Sequence, residues 1–576
     1  MTLIPAHYRR QSYGIAALLL TQSFLDVLGL GLIVSLAPML FDRERVMRFS
    51  LYKRINYALG EPTYQTTLVV ALVIIVVAYA VKNAISIWIA HRQARFAFNI
   101  YHSLTTRLHK LSFDRGYLYL RKRNSTEVVR DVAAIPGRFS ENILLPLLLF
   151  LNEALVLLVV VLSVLWLDPY AFVFVALIVL PPSLVFFHLV KNHVSQVQER
   201  VNLLSAQLQK SLFESIFGYA DVRTTRTQDY FFSRYSALVK DYCGCLRLST
   251  VYNVLPGRLL ELFFVLGVVS LGAYIAFRIQ DAGLATTFLA TYAIAAYRTL
   301  PSINRMTLAL LSIKGHQYTL DVLEDAREAP AASGEPTSQP LPFDREINFD
   351  AVSYRYPDGS GETLNQISLT IQKGECVGIV GPSGSGKTTI LNLLLGFLRP
   401  TSGRILIDRT ELTPDRHGAW YRLIGYVQQE VFLLEGTLRE NIVFGVPSDQ
   451  VDIGRLNDVI RLASLEEFIG SLPQSVDTPV GERGATLSVG QKQRIGIARA
   501  LYSGAQILIF DEATSALDPG TEAEITESIR QLSLEGYTVI IVAHRVTTLR
   551  HTQRIIELKK GALSHETTYG AISRQL

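Results

Sequence analysis

Nine consecutive residues, Gly381-Pro382-Ser383-Gly384-Ser385-Gly386-Lys387-Thr388-Thr389, stand between the short apolar run 377–380 and a long apolar stretch that reaches Leu398. Glycines spaced this way before a lysine and a hydroxyl residue, at a strand-to-helix junction, wrap backbone N–H groups around phosphate oxygens. The helix start adds positive potential, Lys387 reaches the β and γ phosphates of ATP, and the Thr388 hydroxyl is set to bind Mg2+. Further on, the apolar strand 507–510 ends in Asp511-Glu512. Alone, such a pair is ordinarily a solvated strand end. Coupled to the upstream loop, it places Asp511 to hold the metal and Glu512 to act as general base toward a water attacking the γ-phosphate.

These groups need a rigid support, and the chain has room for more than one domain at 576 residues. Mean hydropathy is +0.26, and the apolar residues collect in the first 310 positions. Runs at 14–40, 66–90, 143–167, 169–190, 259–277 and 283–310 are each about long enough to cross a bilayer. Leu167-Asp168-Pro169 supplies a tight turn between the third and fourth. Segments 91–142 and 191–258 are polar and helix-like, and read as stalks continuing the membrane helices. Segment 42–65 repeats Met47, Leu51, Ile55 and Leu59 at four-residue spacing among basic residues. It reads either as a helix on the outer membrane surface or as a loop packed on its own helices. Ala, Pro, Ser and Gly dominate 329–340, an extended linker. The expected domains are therefore 1–328 in the membrane and 341–576 as an α/β unit, in which short apolar strands alternate with helices.

A net charge of +5, with the basic residues dispersed between apolar runs, gives no basic groove, so nucleic acid is not an expected partner. Cys243, Cys245 and Cys376 have neither disulfide-framework nor metal-site spacing. The apolar run after Arg9 and Arg10 is too long for a signal-peptide core, so it is expected to stay as a membrane helix.

Leu487-Ser488-Val489-Gly490-Gln491, just before the Asp-Glu strand, gives the chain its resemblance to the ATP-binding cassette (ABC) transporters. The resemblance implies Tyr356 stacking on adenine, Gln429 sensing magnesium and water, Asp518 in the D-loop, and His544 beside the γ-phosphate. It also implies that Ser488 and Gly490, with Gln491 behind them, complete a partner's ATP site, so the chain works as a homodimer. Val489 departs from the family's usual glycine. Segment 478–484 resembles the exporters' X-loop, or is an ordinary glycine-containing surface loop. Six spans ahead of one cassette resemble a type I ABC exporter half: a six-helix membrane domain followed by an α/β P-loop nucleotide-binding domain. Coupling helices are then expected near 117–125 and 211–218. The ATP domain must face the cytoplasm, and an even number of spans puts the N-terminus there too, in the cell membrane.

Cargo is read from charges within the spans, where each costs about 2.5–3.5 kcal/mol. Lys82, Arg258 and Arg298 can line a cationic path for a phosphate-bearing cargo, although Lys82 and Arg258 can equally snorkel to an interface. Short stretches around Arg298, Pro256-Gly257-Arg258 and Asn124-Ser125 resemble bacterial flippases of lipid-linked oligosaccharides. Expected, then, is ATP-driven export of a polyprenyl-diphosphate oligosaccharide. The rivals are a lipid A-like glycolipid, a drug or a peptide, and, in another class, a tethered cassette that gates a channel or regulates a partner.

Overall fold

The computed structural model describes residues 6–34, 63–167, 169–278, 282–328, 340–359, 361–514, 517–543 and 545–572. The chain divides into two compact units. The first comprises Met1–Asp114 and Leu120–Ala329; the second comprises Arg115–Tyr119 and Pro330–Leu576. Segment 42–65 and the linker 329–340 fall almost wholly outside the described residues, as does Asp168 of the expected turn.

The first unit is helical. Helices α1 (Ala6–Val34), α2 (Tyr64–Asp114), α3 (Gly116–Lys122), α4 (Leu145–Leu167), α5 (Pro169–Phe217), α6 (Gln228–Arg278) and α7 (Ala282–Gly315) follow in chain order, the short α3 straddling both units. The six long ones carry the described parts of the six apolar runs. Among the described residues, four stretches are long and apolar enough to cross a membrane: Tyr8–Gly29, Tyr64–Asp114, Ser125–Leu162 and Gln228–Ser270. Helices α2 and α6 have 51 residues each and α5 has 49. At 1.5 Å per residue that is about 75 Å, more than twice a hydrocarbon core, so each runs unbroken from span into stalk.

Polar side chains inside this unit are paired across helices. Lys82 Nζ lies 2.7 Å from Asp26 of α1, and the Tyr79 hydroxyl donates to the Gly29 carbonyl. Ser23 of α1 donates to Asn152 of α4 at 3.1 Å. Next to Asn152, Glu153 is 5 % exposed and accepts from Arg305 of α7 at 2.8 Å. Apolar Ile15, Leu19, Phe96, Ile100 and Leu104 form part of one buried cluster in this unit.

The second unit holds two sheets. Strands β1 (Glu346–Tyr354), β2 (Leu364–Gln372), β4 (Ser402–Ile407) and β5 (Thr410–Glu411) form an antiparallel sheet in the order β2-β1-β4-β5. The other strands are β3 (Cys376–Val380), β6 (Ile424–Val427), β7 (Ile507–Asp511), β8 (Thr538–Val542), β9 (Arg554–Lys559) and β10 (Ala562–Thr567), ordered β10-β9-β3-β8-β7-β6. All pairings from β9 to β6 are parallel. Their near-continuous apolar sequence follows from burial on both faces: Leu508 and Phe510 enter one apolar cluster, Ile507 and Ile509 the other. The antiparallel sheet is not expected from the sequence, because its strands mix polar with apolar residues.

Arg115–Tyr119 belongs to the second unit through Tyr117, whose ring stacks on Phe397 with centroids 5.2 Å apart. The segment overlaps, at 117–119, the first of the two stretches expected as coupling helices, 117–125.

The Glu153–Arg305 pair carries a stability prediction. Arg305→Ala leaves a nearly inaccessible carboxylate without its partner and should cost about 2 kcal/mol, while Glu153→Gln combined with Arg305→Gln should recover most of it. Thermal unfolding in detergent measures both; equal losses in the single and double variants would refute the pairing energy.

Candidate functional site

Because β3, β6, β7 and β8 are parallel, their carboxyl ends share one edge, where α/β sheets bind ligands. The phosphate loop follows β3, Gln429 follows β6, and Asp511-Glu512 closes β7. His544 follows β8 in sequence and lies outside the described residues.

Leaving β3, the chain turns through Gly381, Pro382, Ser383, Gly384, Ser385 and Gly386 into helix α8 (Lys387–Leu394). Gly386 caps α8 at φ +105°, and a Cβ there would meet Leu364 Cδ2 at 2.6 Å, so only glycine suits it. The Lys387 ammonium donates to the carbonyls of Gly381 and Pro382 at 2.8 and 3.2 Å. It thus lies folded over its own loop. Ser385 is buried and its hydroxyl has no partner among the described residues, an open valence in a loop built for an anion. Thr388 is exposed and Thr389 buried, so the first hydroxyl faces the site edge. Tyr356, just past β1, is half-buried and its hydroxyl lies 3.3 Å from Thr389 Oγ1. The structure therefore brings Tyr356 to the phosphate loop.

At the end of β7, the Tyr426 hydroxyl donates to Asp511 Oδ2 at 2.9 Å. Burial raises the Asp511 carboxyl above its ordinary range and neighbouring Glu512 adds to this, while the Tyr426 hydrogen bond and Lys387 oppose it. Burial likewise pushes the Tyr426 phenol upward, helped by Asp511, so the phenol stays a donor. Glu512 has φ +50° and its N–H donates to Val542 O at 2.9 Å. A non-glycine residue held there stores backbone strain of about 1–3 kcal/mol, as residues aimed by their surroundings at functional sites do.

Helix α9 (Val489–Tyr502) starts at the Ser-x-x-Gln box. The Ser488 side chain accepts from Gln491 N at 3.2 Å, and the Gln491 side chain accepts from Ser488 N at 2.8 Å. Gly490 packs against Thr521, whose methyl a Cβ would strike. Ser488 and Val489 are exposed, leaving this helix start open to an anion. Asp518 caps helix α10 (Pro519–Leu534), accepting from Thr521 N and Oγ1 at 3.0 and 2.8 Å. The Thr521 backbone bond, then its hydroxyl, hold the Asp518 carboxyl below its usual range.

A magnesium ion fits this donor set. Among the described residues no three His, Cys, Asp or Glu side chains cluster as a self-sufficient metal cage. The Thr388 hydroxyl, Gln429 amide and Asp511 carboxylate supply only a few oxygens, which suits a cation that takes its remaining ligands from phosphates and water.

Two residues that sequence reasoning missed now stand out. Tyr426 is one. Gln493 is the other: buried on α9, it donates to the carbonyls of Gln428 and Gln429 at 3.0 and 2.7 Å, tying the Gln429 loop to the signature helix. Its position one turn after Val489 was the available signal. Of the three cations assigned to a cargo path, Lys82 is neutralised by Asp26, a residue not considered with it, and Arg258 is an exposed partner of Glu261 at 3.1 Å. Arg298 lies on α7, with its side chain outside the described residues. The buried Cys376 thiol, pushed up to about 11 chiefly by burial, is inert packing.

Residues 364–515 match the family model described as ABC transporter. The chain is similar to an ATP-dependent lipid A-core flippase of Cupriavidus metallidurans, 38% identical over 242 residues, 41% of each chain. A protein of the same description from Desulfotalea psychrophila is 33% identical over 374 residues, 63% of each. The matched stretches thus span about two-fifths to under two-thirds of these relatives' lengths. A solved bacterial Atm1-family ABC exporter with ATP bound superposes with TM-score 0.79 at 23% identity, over 99% of this chain and 96% of that one.

Gln493→Ala should loosen the Gln429 loop and lower ATP turnover about tenfold, roughly the worth of one or two buried hydrogen bonds, while ATP affinity stays within about threefold. Phosphate release and binding of a fluorescent ATP analogue read the two separately. The phosphate loop, capped signature helix and Asp-Glu strand on one parallel edge lie within or beside the residues that match the ABC transporter family model, and the chain as a whole shares the fold of the solved ABC exporter.

Proposed function

We propose that this chain is one half of a homodimeric, ATP-driven exporter that moves a lipid-linked, phosphate-bearing amphiphile across the cell membrane. The observation that carries the reading is the split site. The chain has one phosphate loop and one exposed signature serine, each able to serve opposite faces of a nucleotide, so two copies complete two sites.

In this reading Lys387 leaves the carbonyls of Gly381 and Pro382 to meet the β and γ phosphates, and backbone N–H groups of the loop take the rest of the charge. Thr388, Asp511 and Gln429 would hold a magnesium ion, which would supply neutralising charge to the phosphates. Glu512 orients a water and takes its proton as the water oxygen bonds to the γ-phosphorus, and the bond to the ADP oxygen breaks to give ADP and phosphate. His544 and Asp518 are assigned to the same nucleotide, and Ser488 and Gly490 approach from the second copy. The long stalks carry closure to the spans as a two-state change of access. The tip of α5 supports a docking role: Phe213 and Phe217 are exposed and stacked, with centroids 5.4 Å apart.

For cargo, the motifs around Arg298 favour a polyprenyl-diphosphate oligosaccharide. The relatives described as lipid A-core flippases favour the second reading, a lipid A-like glycolipid. Both cargoes join phosphate, glycan and lipid.

Two outcomes test the engine and the cargo. Glu512→Gln should keep ATP binding and lose at least about 100-fold in turnover, whereas Lys387→Ala should weaken binding itself; normal hydrolysis by Glu512→Gln would sink the general-base role. In proteoliposomes given labelled polyprenyl-diphosphate oligosaccharide or labelled lipid A glycolipid, Arg298→Ala should hydrolyse ATP yet move cargo poorly. Movement of only the second lipid reassigns the cargo; movement of neither, with ATP hydrolysed, removes both.

A further inference from the structure

We propose that Tyr426 is a positioning residue for the magnesium carboxylate: its hydroxyl ties down one oxygen of Asp511 and leaves the other turned toward the phosphates. The inference rests on the Mg-ATP reading above and goes past it to a residue that this chain supplies for itself.

Register explains the contact. In the parallel β6–β7 pair, Tyr426 stands opposite Ile509, and Asp511 is two residues beyond Ile509 on the same face of the sheet. A phenol is long enough to cover that offset, and the hydroxyl meets Oδ2 at 2.9 Å. Leucine, valine or alanine on β6 would pack the strand equally well but leave the carboxylate free to rotate. Asp511 is only partly accessible, so a freely rotating carboxylate would also lack a donor that burial makes costly to lose. Tyr426 itself is fixed at its other end by the apolar cluster that contains Ile424, Ile507 and Ile509 and that Phe397 and Tyr117 also join. The donor is therefore held before any metal arrives, which is what preorganised support of a metal ligand requires.

Tyr426 also lies near the Arg115–Tyr119 segment: the Tyr117 phenol is close enough to act on it electrostatically while its own ring stacks on Phe397. The aromatic group under that segment thus ends at the metal carboxylate.

The test uses the full chain in detergent with Glu512→Gln throughout, so that no turnover occurs, and reads binding of a fluorescent ATP analogue in EDTA and across a Mg2+ titration. Tyr426→Phe should leave affinity in EDTA within about twofold and raise the Mg2+ concentration for half-maximal tightening about tenfold, the size of one hydrogen bond to a charged group. Asp511→Asn should raise it at least as far, and adding Tyr426→Phe to Asp511→Asn should change nothing more, because the phenol acts through that carboxylate. An unchanged Mg2+ requirement, an equal loss in EDTA, a lowered thermal unfolding midpoint that accounts for the loss, or additive effects in the double variant would each overturn the proposal. A Glu512→Gln parent whose binding ignores Mg2+ would overturn the Mg-ATP reading itself, and Tyr426's role with it.

Discussion

A nucleotide triphosphate carries several negative charges that must be drawn out of water by groups bearing little net charge of their own, and the open edge of a parallel sheet is where this chain does it. Strands β3, β7 and β8 deliver their loops to one side because they run the same way, and they run the same way because apolar residues on both faces require cover from helices on both faces. Everything catalytic hangs on that parallelism. Antiparallel pairing at β7 would carry Asp511 and Glu512 to the opposite edge from Lys387.

Local chemistry was legible where short-range rules decide it. Gly386 can cap its helix because glycine tolerates a left-handed backbone, and the Ser488-x-x-Gln491 spacing forms the reciprocal cap that such spacing implies. The described parts of the six apolar runs became six long helices, since span length is a property of composition. Cross-strand and cross-helix partners were not legible. Nothing in the sequence sets Tyr426 opposite Ile509, or Gln493 beneath the carbonyls of Gln428 and Gln429, until the sheet exists. The antiparallel sheet was hidden for a related reason: its strands are half-exposed and their polarity is mixed.

Charge inside the membrane unit teaches the same lesson from the other side. Lys82 read alone suggests a ligand for anions, yet Asp26, itself an acid within an apolar run, sits 2.7 Å away. Glu153 was overlooked amid leucines and valines, though its position between Asn152 and the apolar face of α4 is where a buried acid demands a cation, and Arg305 supplies it. A charge in such a helix is best read as half of a pair whose other half must be sought on a neighbour.

The long helices have a mechanical consequence. Helix α2, a rod of 51 residues with an unbroken hydrogen-bond ladder, transmits torque with little loss, so a small tilt at one end becomes a large sideways excursion at the other. Helix α2 contains no proline, whereas α6 carries Pro256 and α7 carries Pro301 within their lengths. Each proline removes one rung of the ladder and gives its rod a compliant joint. Helix α2 is thereby a stiff lever beside hinged ones, and the hinges of α6 and α7 fall beside Gly257 and Ser302, where the two helices approach closely enough for Gly257 to face Asn304.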